Sequence, residues 1–373
     1  MTPRTTPPFR ADHVGSLLRP AELHHAREAF GSGEISADDL RAVEDEAIRG
    51  AVELQRSAGL ASATDGEFRR GSWHMDFIYQ LKGVAKSEER LHVRFHNPAG
   101  DIEFNPAGLK VGAKVDLDGV IFGDAFTFLK SIVDPSVTPK LTIPSPSMIY
   151  YRGGRAAVDE KVYPDIEEFY DDLAAAYAKE IAGLAGLGCT YLQLDDTSLA
   201  YLNDPEQRAM VARMGGDPEK QHIRNIKTLN AALAGRPAGL TVTTHLCRGN
   251  FRSSWVAEGG YDFVADALFN ELEVDGYFLE FDDERSGGFE PLRFVPKGKY
   301  VVLGLVTTKR GELESVDSLR RRIETASSYV DIDQLCLSPQ CGFSSTEEGN
   351  DLTEDQQKAK LERIVETAEL VWG

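Results

Sequence analysis

The stretch Thr241-Val242-Thr243-Thr244-His245-Leu246-Cys247-Arg248-Gly249-Asn250 reads as a β-strand that ends in His-x-Cys. Its β-branched residues favour the pleated conformation, and Gly249-Asn250 supplies a turn. Residues two apart on a strand point to the same face. His245 and Cys247 therefore present an imidazole and a thiol side by side as the strand runs out. Such an N/S pair is half of a zinc site.

Working outward, similar apolar runs recur along the chain. Strands are expected to end near Ser16, Glu67, Pro144, Asp195, Cys247, Glu280, Val306 and Pro339. Helical patterns separate most of them, at residues 36–57, 166–187, 205–234, 261–270, 316–329 and 354–371, with a further helix starting at Pro20. Alternating strands and helices imply a parallel sheet. The count matches a (β/α)8 TIM barrel occupying the whole of 1–373 as one domain. Residues 84–125 stand outside the alternation. Leu91-His92-Val93-Arg94-Phe95 and the run 115–122 alternate like the strands of a hairpin-like insertion after the second strand. A doubly wound sheet is the rival architecture, but no Gly-x-Gly-x-x-Gly follows a strand.

In a parallel barrel the C-terminal ends of the strands share one mouth. Ser16, Glu67, Asp195, His245, Cys247, Glu280 and Cys341 all lie at or just past such ends. Cys341 sits in a turn after the last strand, which suits a ligand better than a core thiol. Glu280 lies inside Tyr277-Phe278-Leu279-Glu280-Phe281, where an unpaired carboxylate would be costly. A metal is one partner for it and an arginine is the other. His245, Cys247, Glu280 and Cys341 together form a donor set suited to Zn2+, and thiolates disfavour Mg2+ and Ca2+. Cys189 and Cys336 sit in apolar stretches and read as core.

The chain has 373 residues, 42% hydrophobic and 27% charged, with a formal net charge of −19. So acidic a protein is a poor partner for nucleic acid or an anionic membrane. No apolar run approaches a membrane span. The opening Met1-Thr2-Pro3-Arg4-Thr5-Thr6-Pro7-Pro8 has no apolar core of a signal peptide and reads as a short mobile arm. Four cysteines in so long a chain do not make a disulfide scaffold. The expected location is cytoplasmic. Nothing in the sequence sets an oligomeric state.

These motifs resemble the catalytic barrel of cobalamin-independent methionine synthase, in the form of its short, single-barrel members. His245-x-Cys247, the isolated Glu280 and Cys341-Gly342 are similar to that family's zinc motifs. Val14-Gly15-Ser16 resembles its first-strand motif, where a serine contacts the amino-acid substrate. Asp65-Gly66-Glu67-Phe68 resembles its Gly-Glu-Phe motif, and Leu192-Gln193-Leu194-Asp195-Asp196 its Ile-Gln-Ile-Asp-Glu motif. Leu141-Thr142-Ile143-Pro144 resembles its Leu-Thr-Gly-Pro strand. The resemblance implies a zinc-dependent S-methyltransferase that moves methyl from a methylfolate-type donor to homocysteine, giving methionine. Glu67 and Asp195 would hold the substrate ammonium and Ser16 would contact the amino acid.

The donor side departs from the family. Its histidine after the seventh strand, the proton donor to the folate, has no match. Lys309 falls near that place. Tyr150 is the nearest equivalent of the aromatic that stacks on the pterin, and Tyr201 replaces a folate-contacting glutamate. The acid is therefore unassigned, with His74 and His13 as alternatives. Arg248, Lys309 and Arg310 could instead receive an anionic group. That points to a different thiol and donor on the same zinc chemistry, such as epoxyalkane:coenzyme M transferase. A barrel with purely structural zinc is the non-catalytic alternative.

Overall fold

The computed structural model describes residues 4–151 and 153–373. Eleven strands occur among them: β1 (Ser62–Ala63), β2 (Lys82–Arg90), β3 (Val93–Phe95), β4 (Ile102–Phe104), β5 (Ala107–Asp116), β6 (Thr138–Pro144), β7 (Tyr191–Asp196), β8 (Thr241–Leu246), β9 (Gly276–Glu280), β10 (Tyr300–Val306) and β11 (Leu335–Pro339). Seven of these form one sheet in the order β1-β6-β7-β8-β9-β10-β11. Every pairing within it is parallel. From β7 to β11 nearly every strand residue is buried, as expected when helices cover one face and the sheet curls over the other. The result is an α/β fold with a curled, parallel half-barrel sheet.

The expected first strand is reduced to a single bridge, Ala11 with Leu337. Asp12 N donates to Leu337 O and Leu337 N to Arg10 O. The ladder does not continue from this segment to β1. The seam is crossed instead by isolated hydrogen bonds, from Thr64 Oγ1 to Gly15 O at 2.6 Å and from Leu17 N to Gly66 O at 3.1 Å. The hydrogen-bonded sheet thus has seven strands, not a closed eight. The physical reason lies in the small-residue run Ala61-Ser62-Ala63-Thr64. It offers little side-chain surface to a neighbour, and its strand is two residues long.

Below the mouth the interior is not wholly apolar. Lys140 and Asp12 are fully buried and pair at 3.3 Å, and Tyr191 Oη donates to Asp12 Oδ2 at 2.8 Å. Lys140 Nζ also lies 4.1 Å from the centre of the Phe278 ring. This network ties the first segment to β6 and β7.

Most expected helices form, with caps legible in the sequence. Ser36 and Thr353 each make a capping box with the residue three positions on. The helix expected over 205–234 is two, Pro205–Arg213 and Gln221–Leu233. Gly215, at φ +82°, and Pro218 separate them. The run 115–122 is not the second strand of a hairpin. β5 ends at Asp116, and a helix, Gly123–Ile132, follows with Phe126 and Leu129 buried. The insertion is instead two antiparallel pairs, β2 with β5 and β3 with β4. Residues 1–3 of the N-terminal arm lie outside the described residues. Its described part is anchored, with the Arg4 guanidinium 3.5 Å from the centre of the Tyr300 ring. No helix among the described residues is long and apolar enough to cross a membrane.

Candidate metal centre and substrate cavity

His245 is the fifth residue of β8, opposite Asp195 in the ladder with β7. Cys247 follows two residues later, on the same face, with its N–H bonded to Asp196 O. Glu280 closes β9. Cys341 comes from the turn after β11. One potential ligand atom from each of these four lies within 4.8 Å of the others, and all four residues are buried. The two sulfurs are 3.4 Å apart, as free thiols. Ligand atoms around one tetrahedral Zn2+ sit roughly 3.3–3.8 Å apart.

The hydrogen bonding fits a cation here. Neither ring nitrogen of His245 has a hydrogen-bond partner, nor does Glu280 Oε2. Glu280 Oε1 accepts from Arg248 N at 3.1 Å. An arginine is indeed nearby, Arg285 at 3.7 Å, but that guanidinium also serves Asp282 and Asp283. Burial raises the Glu280 pKa against the pull of Lys309. Burial opposes a charge on His245, yet Cys341, Asp195 and Glu280 outweigh it and raise the imidazole pKa. Of the two thiols, Cys341 ionises first, favoured by its contact with Cys247 and by the His245 charge. Three acidic groups and an imidazole crowd together, and the nearby Arg285 and Lys309 are shared with Asp282, a situation a divalent metal resolves.

His245, Cys247 and Cys341 face a cavity of about 370 Å³, and Glu280 lies behind them, outside its lining. Ser16, Glu67 and Asp195 line it too. Glu67 occupies a left-handed conformation (φ +63°) directly after Gly66 (φ +66°), a backbone turn that aims a non-glycine side chain at some cost. Thr142 Oγ1 donates to Glu67 Oε1 at 2.8 Å, while Oε2 has no hydrogen-bond partner. Gln193 Nε2 holds Asp195 Oδ1 at 2.7 Å and also bonds Val14 O. Burial raises both carboxyl pKa values, that of Asp195 to about 7. Ser16 lies against Gly342, where an added Cβ would meet Ser16 Oγ at 1.9 Å. A side chain beside Cys341 would thus displace the Ser16 hydroxyl.

The donor-side expectations fall elsewhere. Tyr150 lines a separate recess with Tyr151, Val211 and Met214. Lys309 Nζ pairs with Asp282 at 3.3 Å and does not line the cavity. Arg248 is buried and donates to Tyr261 Oη and to the carbonyls of Gly259, Glu280 and Ser286. Arg310 is exposed. Among the described residues the cavity lining includes one lysine or arginine, Lys86. Tyr201 does line the cavity. His13 is buried outside it, and burial lowers its pKa to about 4.

Other cavity residues had no clear signal in the sequence. Trp73, Tyr79, Phe95, Phe104 and Phe251 form its apolar wall. The rings of Phe95 and Phe104 lie 5.2 and 4.5 Å from that of Phe251. The β3–β4 hairpin is pinned over the mouth by paired backbone bonds between His96 and Trp255. Gln193 had a signal of the right kind, a polar residue in an apolar strand.

The family model described as the cobalamin-independent synthase catalytic domain matches residues 109–369. The chain belongs to this family. It is 49% identical to the uncharacterized protein YxjH of Bacillus subtilis (strain 168), over 98% of this chain and 95% of that one. It is 26% identical to the methionine synthase of Pyrococcus abyssi (strain GE5 / Orsay), over 88% and 85%. A crystal structure from Listeria monocytogenes, named provisionally as a vitamin-B12 independent methionine synthase, superimposes with a TM-score of 0.79 at 38% identity. That match covers 99% of this chain and 100% of the other. Ser16 and Glu67 precede the residues matched by the synthase family model, but the Listeria match spans almost the whole chain. The relationship supports a methyltransferase.

Proposed function

We propose that this protein is a zinc-dependent S-methyltransferase that transfers methyl from a methylfolate-type donor to homocysteine, producing methionine in the cytoplasm. We read the sheet as a (β/α)8 barrel whose first strand is the Arg10–Ser16 segment, forming a single domain. The observation that carries the function is one cavity lined by members of two groups of residues. One is a convergent His-Cys-Glu-Cys set with unpartnered buried donor atoms. The other is a pair of buried carboxylates.

His245, Cys247, Glu280 and Cys341 would hold Zn2+. When bound, the metal supplies a Lewis acid that lowers the pKa of a thiol and keeps its sulfur in the nucleophilic thiolate form. The remaining work falls to the chain. Glu67 and Asp195 bind an ammonium, which adds positive charge beside two buried carboxylates, of which Glu67 Oε1 also lies 3.6 Å from Arg70 Nη1. Gln193 and Thr142 orient them. Ser16 contacts the amino-acid moiety beside Gly342. The hairpin wall of Phe95, Phe104 and Phe251 excludes water and offers flat apolar surface to a planar donor.

The coenzyme M and epoxide alternative draws no support from the comparisons. A sulfonate also calls for basic lining, and Arg248 and Lys309 are engaged away from the cavity. Incubation of zinc-loaded protein with methyltetrahydrofolate and homocysteine should yield methionine. No methionine there, with consumption of an epoxide in the presence of coenzyme M, would overturn the proposal. A cobalt-substituted protein whose absorption ignores every small thiol would point to structural metal instead.

A further inference from the structure

Transfer of methyl from a tertiary amine leaves the bonding electron pair on nitrogen, and that nitrogen is a poor leaving group unless it is protonated as the bond breaks. Resting on the donor reading above, we infer that His74 is the general acid that protonates the departing nitrogen. Of the eight histidines, His74 and His245 line the cavity. His245 belongs to the metal set, so His74 is the other imidazole of the cavity lining. An imidazole is the side chain whose ordinary pKa suits proton delivery near neutrality.

The other proton-bearing groups of the wall are less suited. Tyr79 Oη donates to the carbonyls of Ala107 and Gly108 at 3.1 and 3.0 Å, and burial raises its pKa. Lys86 is exposed on β2, with its side chain toward solvent. Asp76 accepts from Ser72 N at 2.7 Å. Glu67 and Asp195 lie on the thiol side.

His74 is also held in place relative to the metal set. Ser72 Oγ sits 3.1 Å from Nδ1, and the Trp73 ring packs against the imidazole with centres 4.3 Å apart. The backbone just before it is stitched to the loop that carries Cys341. Ser72 bridges Thr346, Trp73 N donates to Ser345 O at 3.0 Å, and Glu347 N donates to Gly71 O at 3.1 Å. Asn250 Nδ2 bonds Gly342 O at 2.8 Å, which ties in the loop after Cys247 as well. One framework therefore sets the distance between the acid and the ligand-bearing loops.

In the step assigned here, the donor C–N bond breaks as the S–C bond forms. The nitrogen keeps the electron pair and takes the proton from His74 Nε2. The thiol proton leaves to solvent, solvent reprotonates the ring, and nothing is oxidised or reduced. The test compares two donors with homocysteine as acceptor: methyltetrahydrofolate, whose leaving group needs a proton, and methyl iodide, whose leaving group does not. H74Q should lose about 10²–10⁴-fold in turnover with methyltetrahydrofolate. With methyl iodide it should stay within about twofold of wild type, since acid catalysis is not required. Zinc content, and methyltetrahydrofolate affinity by calorimetry, should match wild type. H74A serves as a second variant, with added imidazole restoring part of the folate-dependent rate. Equal losses with both donors, or no loss with either, would overturn the assignment while leaving the methyltransferase reading intact. Wild-type protein that alkylates homocysteine with methyl iodide but never with methyltetrahydrofolate would remove the donor reading, and this assignment with it.

Discussion

At the scale of single residues, the site is defined by groups placed where folding alone would not favour them. Glu280 Oε2 and both ring nitrogens of His245 are buried without a hydrogen bond, and such atoms are costly unless a ligand completes them. C247S and C341S should each lower zinc affinity by at least about 100-fold while far-UV circular dichroism stays unchanged. Full zinc occupancy in both variants would contradict the ligand set. Glu67 is the complementary case. Removing its charge by E67Q should raise the homocysteine KM about 10–100-fold, equivalent to about 1.4–2.8 kcal/mol, with zinc content unaltered. A KM within a factor of about two of wild type would detach Glu67 from the ammonium. Both sites were legible because they couple a chemically conspicuous residue to a strand end. Trp73 and the apolar wall were not, because scattered aromatic residues carry no chemical label until the insertion folds over the mouth.

At the scale of elements, strand ends and helix caps followed from local pattern, whereas breaks and insertions did not. The helix expected over 205–234 divides at Gly215, a breaker that periodicity alone had bridged. Helix Gly123–Ile132 was hidden behind an alternating run that stops pairing at Asp116. One helix carries a pH-dependent cost. Glu180, in helix Ile166–Gly186, is buried and accepts from Ile121 N at 2.9 Å. Burial raises its pKa from 4.5 to about 7. The folded state therefore holds more protons than the unfolded state between those values, and stability falls as pH rises through that window. E180Q should accordingly be more stable than wild type at pH 8, by up to about 3 kcal/mol. The advantage should vanish near pH 4, as read from urea unfolding midpoints at both pH values. A difference independent of pH would show that the Glu180 proton is not responsible.

At the scale of the whole molecule, a parallel sheet gathers residues from distant parts of the sequence at one rim, and an inserted pair of hairpins roofs it. The rim was readable from the order of strands. Closure of the sheet was not, since the segment at Ala11 and the two-residue β1 are joined by side-chain and isolated backbone bonds rather than by a ladder. The roof has a functional consequence. Replacing residues 91–106 by a short turn should raise the donor KM at least about tenfold, a loss of about 1.4 kcal/mol. Homocysteine affinity should change little, because its contacts come from the rim. Equal losses for both substrates would show that the hairpin supports the whole site.

The central claim is that the four-residue set holds zinc open to a substrate thiol while Glu67 and Asp195 grip the ammonium of the same molecule. Zinc-edge X-ray absorption on the loaded protein, with and without homocysteine, tests it most directly. The account predicts stoichiometric zinc whose sulfur coordination rises when homocysteine is added in wild type, with E67Q requiring more homocysteine to reach the same change. A sulfur coordination that does not respond to saturating homocysteine would contradict it.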